Sequence, residues 1–364
     1  MFDYSKNIEL FRSEEVTLSK DMREILIAHR DANRERLISR FPDYFSGHSI
    51  SKNCFLPQGS NAMGTCIQTK YTDEEYDIDD GLVVDAKILV NEEGAELTVT
   101  EVRDKLKNAL KDKRFNKQPK FCKNCVRVFY ADSDDYKHHL DIPIYRIRID
   151  EEGNTVQEIA NEHEWLESDP KQVNSWFLNK VQELNEQVEK KGTQLRHLVQ
   201  LVKRFARSRK EWLELMPNGM KLTMLVCECQ PSYNTRLDLA VFYLFKKMRK
   251  RLSQDLNIYN LAHPQKLKLT KSSYDDNVIF LREKLSEAII ALETLDKNST
   301  QDDARNVWDS IFKTNGFFLD KDKEVDLLNK ASLINSGKAH TSQAGIITTS
   351  TGILNKAHAF YAEE

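Results

Sequence analysis

Gln58-Gly59-Ser60-Asn61-Ala62-Met63-Gly64-Thr65, followed by Glu75-Tyr76-Asp77-Ile78-Asp79-Asp80-Gly81-Leu82-Val83-Val84, decides how the chain is read. The second segment runs into apolar residues and suits a strand. On a strand, residues i and i+2 share a face, so Asp77 and Asp79 point together while Ile78 and Asp80 face the other way. Two carboxylates side by side repel unless a cation lies between them, and hard oxygen ligands select a hard cation such as Mg²⁺. A solvated pair at a strand edge would use the same residues. The upstream segment favours the first reading: two glycines, the Ser60 hydroxyl and free backbone amides can close against phosphate oxygens.

A third carboxylate lies in His138-His139-Leu140-Asp141-Ile142-Pro143-Ile144-Tyr145. Asp141 interrupts a strand-like apolar run, where an unpaired charge is costly. Beside Asp77 and Asp79 it completes a cluster able to hold two ions about 3.5–4 Å apart, one activating a hydroxyl and one on a triphosphate. Asp141 is then the ligand best placed to help deprotonate an incoming 2′- or 3′-hydroxyl. The plainer alternative is a salt bridge to Arg146 or Lys137. His138 and His139 are near enough in sequence to lean into such a site.

The rest of the chain sets the bounds. At 364 residues, 40% hydrophobic and 30% charged, it suits a globular protein of two domains or of one large bilobal domain. A net charge of −3 gives no global field toward nucleic acid or an anionic membrane, although local basic stretches can still hold phosphates. The sequence contains no uncharged apolar run of about 18 residues and opens without a signal-peptide pattern, so a cytoplasmic location is expected. The six cysteines are read as reduced thiols. Cys122 and Cys125, Cys227 and Cys229, or the His138-His139 pair could offer zinc ligands, but the cysteines fall within apolar runs and buried thiols are preferred.

The spacing predicts a long amphipathic helix over 14–41, capped by Ser13 or Thr17 and ended at Phe41-Pro42. Strands are predicted over 66–69, 78–84, 126–130 and 142–149, with a helix over 98–110. Beyond residue 160 helices are predicted over 173–190, 193–209, 222–228, 235–252, 274–295 and 302–312. The expected fold class is α+β: an α/β lobe with a mixed central sheet over 1–155, a helical lobe over 156–330, and a small, polar, loosely docked tail over 331–364.

Together, Gly59-Ser60, Asp77-Ile78-Asp79 and the lone Asp141 on a later strand resemble the signature of polymerase-β-type nucleotidyltransferases. The longer strings at 58–65, 75–81 and 141–147 are similar to those of the CD-NTases, bacterial relatives of cyclic GMP-AMP synthase that act in anti-phage CBASS systems. The resemblance covers roughly residues 15–320. It implies a nucleotidyltransferase lobe joined to a helical lobe, with the active site in the cleft between them. Asp77, Asp79 and Asp141 would be the catalytic metal ligands for two Mg²⁺ ions, with Mn²⁺ able to substitute. Gln58, Gly59 and Ser60 would meet the nucleotide. Within 195–205, Lys203 would take the place of a triphosphate-contacting lysine, and within 217–223 Asn218 would reach nucleotide. Arg196, Arg204 and Arg207 either line the cleft or face water.

The reaction implied by the resemblance is attack of a ribose hydroxyl on an α-phosphate, releasing pyrophosphate, then closure of a cyclic di- or trinucleotide. The substrates would be NTPs, ATP and GTP before pyrimidine NTPs. Accessory CBASS proteins acting on the C-terminal tail are a further implied partner, although the ending Phe360-Tyr361-Ala362-Glu363-Glu364 departs from the small terminal residue that conjugation uses. Neither a stable nucleic-acid partner nor a membrane is expected. The alternatives are a linear oligonucleotide synthase, an RNA-end nucleotidyltransferase, or a catalytically inactive nucleotide-binding module.

Overall fold

The computed structural model describes residues 1–68, 76–130, 138–187, 194–272, 274–341, 347–348 and 353–354. The chain opens with α1 (Ser5–Phe11), a π-helical turn at Arg12–Val16, and the long α2 (Lys20–Tyr44). Then come β1 (Phe55–Gln58), the short α3 (Gly59–Met63), β2 (Tyr76–Asp85) and α4 (Val99–Leu110). Five strands complete the first half: β3 (Lys120–Phe121), β4 (Val126–Tyr130), β5 (His138–Ile142), β6 (Ile144–Ile149) and β7 (Thr155–Ala160), with β8 (Trp165–Glu167) after them. The remainder is helical: α5 (Pro170–Gln187), α6 (Gln194–Ala206), α7 (Gly219–Cys229), α8 (Leu237–Gln254), α9 (Asp276–Glu293), α10 (Gln301–Phe312) and α11 (Phe317–Asn335). This is the α+β fold expected from the sequence.

β2 is the axis of the mixed sheet. It pairs antiparallel with β1, and parallel with β5 and β6. Asp79 stands opposite Asp141, and Leu82 opposite Ile144. The offset is the same in both, so β5 and β6 form one line past β2, broken only at Pro143. Proline cannot donate to a ladder; here its carbonyl still accepts from the Leu82 amide at 2.8 Å. β3 and β4 extend the sheet from β5, and β7 and β8 from β6.

Two apolar cores lie side by side. One joins the sheet to α2 and α4 through Leu37, Phe41, Phe45, Leu82, Val102 and Leu140. The other belongs to the helices, with Phe205, Leu222, Phe245 and Trp308 at its centre. Tyr4, Ile8, Phe11 and Val16 are buried in this second core, so the first sixteen residues pack with the helices although they precede the sheet.

The predicted helix over 14–41 is corrected at both ends. Its cap is Ser19, whose hydroxyl accepts from the Met22 amide at 3.2 Å, rather than Ser13 or Thr17. The backbone just before it is already engaged: Gln68 donates its amide to Val16 O and its side chain to Thr17 O. Helix α2 also runs through Pro42 to Tyr44. So near the end, proline removes a single hydrogen bond, and the fully buried, stacked Phe41 and Phe45 hold the last turn. Of the strand predicted over 66–69, the structure has a bridge from Ile67 to Thr17; Thr69 lies outside the described residues.

Candidate active site

The Gly-Ser segment becomes a strand-to-helix turn. β1 ends at Gln58, and α3 begins at Gly59 with φ +64°, a conformation favouring glycine. A Cβ on Gly59 would collide with the Asp79 carboxylate, so the backbone approaches that side chain closely enough to exclude any other residue. Gly81 is similarly constrained: a Cβ there would lie 2.8 Å from the Tyr145 ring. The leading amides of α3 have no intrahelical partner, and Ser60 stands among them facing the cleft.

Strand alternation places the acidic groups as the sequence predicts. Asp77 and Asp79 share the cleft face, while Ile78 and Asp80 are buried behind it. Parallel pairing of Asp79 with Asp141 brings the third carboxylate to the same edge. Asp77, His139 and Asp141 each offer a ligand atom within 4.8 Å of the others. His139 Nε2 is 3.3 Å from Asp77. His138, one residue earlier, points the other way, 2.7 Å from His29 Nδ1 and stacked near Tyr130.

Asp141 is not bonded to Arg146, which pairs with Glu158 at 2.6 Å and with Glu96. Its partner is Arg127 on β4, directly opposite in register, through two bonds of 2.7 Å. Lys137 lies outside the described residues. Arg127 was not anticipated; the signal available was a single arginine on the cleft-facing parity of an apolar strand. Of the two histidines that could lean into the site, His139 does so, because strand pairing sets it opposite Asp77.

Asp79 is held well above the usual carboxylate range, by burial first and then by the charges of Asp77 and Asp141, against the lesser pull of Arg127 and Lys203. Three carboxylates that repel one another, with the His139 imidazole beside Asp77, form a donor set able to take a divalent cation. The residues fit that group.

The cleft itself is about 450 Å³ and lies between the two lobes. Gly59, Ser60, Asp77 and Asp79 line one wall, and Lys203, Arg207 and Asn218 the other. Four side chains tie the walls together near the turn: Asn174 donates to Pro57 O (3.1 Å), Arg196 to Met63 O (3.1 Å), Gln200 to Cys66 O (3.4 Å), and Lys203 to the Thr65 hydroxyl (3.2 Å).

Residues 53–145 match the family described as cyclic GMP-AMP synthase DncV-like, nucleotidyltransferase domain. The matched stretch takes in Gly59-Ser60, Asp77, Asp79 and Asp141. A stretch of 117 residues is 33% identical to the cyclic dinucleotide synthase CdnG of Bradyrhizobium diazoefficiens; it covers 32% of this chain and 24% of that synthase's length. The fold is similar to Vibrio cholerae DncV bound to nonhydrolyzable GTP, with a TM-score of 0.68 and 15% identity over 86% of this chain and 96% of that one. Escherichia coli DncV in its 3′-deoxy GTP form gives a TM-score of 0.63 and 17% identity over 82% and 92%.

The remaining predicted site residues are placed as follows. Lys203, on α6, is buried in the cleft wall. Gln58 turns away from the cleft, its side-chain oxygen accepting from the Tyr145 hydroxyl at 3.0 Å. Asn218 lines the cleft but also caps α7, accepting from the Lys221 amide at 3.0 Å. Arg204 is buried against Phe11, with Nη2 reaching Lys313 O at 3.4 Å, whereas Arg207 reaches the cleft. The six cysteines form no disulfides; burial pushes the thiols of Cys227 and Cys229 up to about 12. Tail conjugation concerns residues 355–364, outside the described residues.

Burial pushes the Lys203 ammonium down to about 8, with Arg207 adding to the effect and nearby anionic groups opposing it. Its folded value lies below the unfolded one of about 10.4, so the unfolded chain binds more protons between these limits. Stability therefore rises with pH across that window, while the affinity for an anionic triphosphate falls as Lys203 discharges. The kcat/KM for NTP should decline above about pH 8, and Lys203→Met should raise KM about tenfold, ~1.4 kcal/mol, while flattening that alkaline limb. Steady-state kinetics from pH 6.5 to 9.5 checks both.

Proposed function

We propose that this chain is a CD-NTase that joins NTPs, ATP and GTP foremost, into a cyclic di- or trinucleotide with release of pyrophosphate, as a signal in bacterial anti-phage defence. The observation carrying this reading is the close approach of the Gly59 backbone to the Asp79 carboxylate, which sets a phosphate-binding turn directly beside three clustered carboxylates. A structural carboxylate cluster gains nothing from being placed there.

Asp77, Asp79 and Asp141 would hold two Mg²⁺ or Mn²⁺ ions, which supply charge neutralisation to the triphosphate and acidify the attacking ribose hydroxyl. The amides of the Gly59-Ser60 turn and the Ser60 hydroxyl hold phosphate oxygens, while Lys203 offsets their charge from the opposite wall. Both Asp141 oxygens accept from Arg127, so Asp141 would take the hydroxyl proton only once that pair loosens around the bound ions and nucleotide. The chain supplies no nucleophile of its own; orientation and electrostatics carry the catalysis. Vibrio cholerae DncV has been seen with the linear intermediate 5′ pppA(3′,5′)pG. A comparable intermediate here would re-enter the same cleft for closure. The site would act in the cytoplasm, where NTPs are abundant; no helix among the described residues is long and apolar enough to cross a membrane.

The test incubates the protein with all four labelled NTPs and Mg²⁺ or Mn²⁺, treats the mixture with phosphatase, and weighs the products. A phosphatase-resistant product of cyclic mass, absent from Asp77→Asn/Asp79→Asn, is expected. Products trimmed to free 5′ ends would replace the cyclase with a linear synthase, and absence of any product would overturn the reading.

A further inference from the structure

The chain's near-neutral total hides one strongly basic strip. Residues 105–123 carry eight lysines and arginines against a single acidic residue, in a chain whose overall net charge is −3. That acidic residue, Asp112, is already shared by Arg36 at 2.9 Å and Arg114 at 2.7 Å. Lys111, Lys113, Lys117, Lys120 and Lys123 are exposed, and none has a carboxylate partner among the described residues.

The strip is held together against its own repulsion. Lys117 Nζ lies 3.8 Å from the centre of the Phe129 ring and Lys120 Nζ 5.1 Å from the same centre, so one buried aromatic carries two ammonium groups. Lys120 on β3 also stands directly opposite Arg127 on β4. Opposed residues of an antiparallel pair share a face, and like charges there are unfavourable. The strip thus runs along the sheet edge into the face where Arg127 grips Asp141. A lysine can serve to blunt an edge strand, but that role needs one residue rather than five.

Such a row is matched by a repeating anion. A single triphosphate would engage only part of it, insertion into a bilayer would require an apolar face, and a purely electrostatic hold on anionic lipid is the outcome the vesicle comparison below separates. Phe121, 37% exposed, is the only exposed large hydrophobic residue in the strip. We propose that residues 111–123 form a binding surface for the phosphate backbone of a nucleic acid, separate from the NTP cleft and independent of what that cleft makes. Composition alone argued against a nucleic-acid partner because the charge is local.

The test is fluorescence anisotropy with a labelled 30-nucleotide single-stranded RNA between 50 and 200 mM KCl. Three proteins are compared: the natural chain, a variant with the five lysines changed to glutamine, and one with all five changed to arginine. Each bound phosphate contributes about 0.7 to the slope of log K against log salt on a single strand. The glutamine variant should therefore lose about 3.5 in slope and at least tenfold in affinity at 100 mM, with its melting temperature and NTP turnover unchanged. The arginine variant should bind as the natural chain does. Equal binding by the glutamine variant would overturn the proposal. So would failure of the natural chain to bind RNA, or binding only to phosphatidylserine vesicles.

Discussion

Asp79→Asn should lower product formation by about 10³-fold or more, on the order of 4 kcal/mol, and at the same time raise the melting temperature of the metal-free protein. Both effects follow from one geometry. Asp79 is pressed against Gly59 with two other carboxylates beside it, and burial with their charges drives it toward its protonated form. Because its folded value is raised above the unfolded one, the folded state binds the extra proton. The metal-free natural protein should therefore gain stability as pH falls toward the ordinary aspartate range, and lose it as pH rises through the folded value. Asparagine removes the repelling charge and with it much of that dependence. Millimolar Mg²⁺ or Mn²⁺ should raise the melting temperature of the natural protein and have little effect on the variant. Calorimetry with and without the ion, beside the NTP assay, checks all of this. A variant that melts lower than the natural chain without metal would show that the carboxylate is stabilising where it lies.

The second large effect is on stability and lies behind the site. Asp80 is 2% exposed and receives Arg34 from α2 through two hydrogen bonds, one of 2.6 Å. Burial pushes Asp80 up despite this partner, so desolvation outweighs the pairing at this position. Removing the arginine alone leaves an unpaired buried charge, and Arg34→Leu should cost about 3–5 kcal/mol by denaturant unfolding. The deficit should shrink at lower pH, where Asp80 can take a proton. Arg34→Leu/Asp80→Leu should recover most of the loss, since neither charge then remains in the interior. Because the ion pair ties α2 to the strand bearing Asp77 and Asp79, the single variant should also lose NTP turnover in proportion to its unfolded fraction.

Much of the site was legible in the residues. The alternation of Asp77-Ile78-Asp79-Asp80 fixes which carboxylates share a face, because the side-chain period of a strand is two. The helix predicted over 98–110 is α4, and the structure adds a capping box of Thr98 with Glu101 at its start. The glycine of Gly59-Ser60 is required by a positive φ, a local property. β4 likewise lies over 126–130 as its β-branched and aromatic residues suggest.

Partnerships between distant segments were not legible. Asp141 could be read as buried and in need of a partner, but Arg127 becomes that partner only because β4 and β5 pair in a particular register. Gln58 reads as part of a phosphate-binding turn, yet strand pairing turns its side chain onto Tyr145, eighty-seven residues away. The start of α2 moved to Ser19 because Gln68 claims the carbonyls of Val16 and Thr17. The first sixteen residues joined the helical core because Tyr4, Ile8 and Phe11 find their apolar neighbours there. The sequence by itself determined the α+β class, the strand faces and the identity of the three aspartates, since these depend on local period and side-chain chemistry. Only the tertiary structure decided the partners, the walls of the cleft and the basic edge, because each depends on contacts that chain closure brings together.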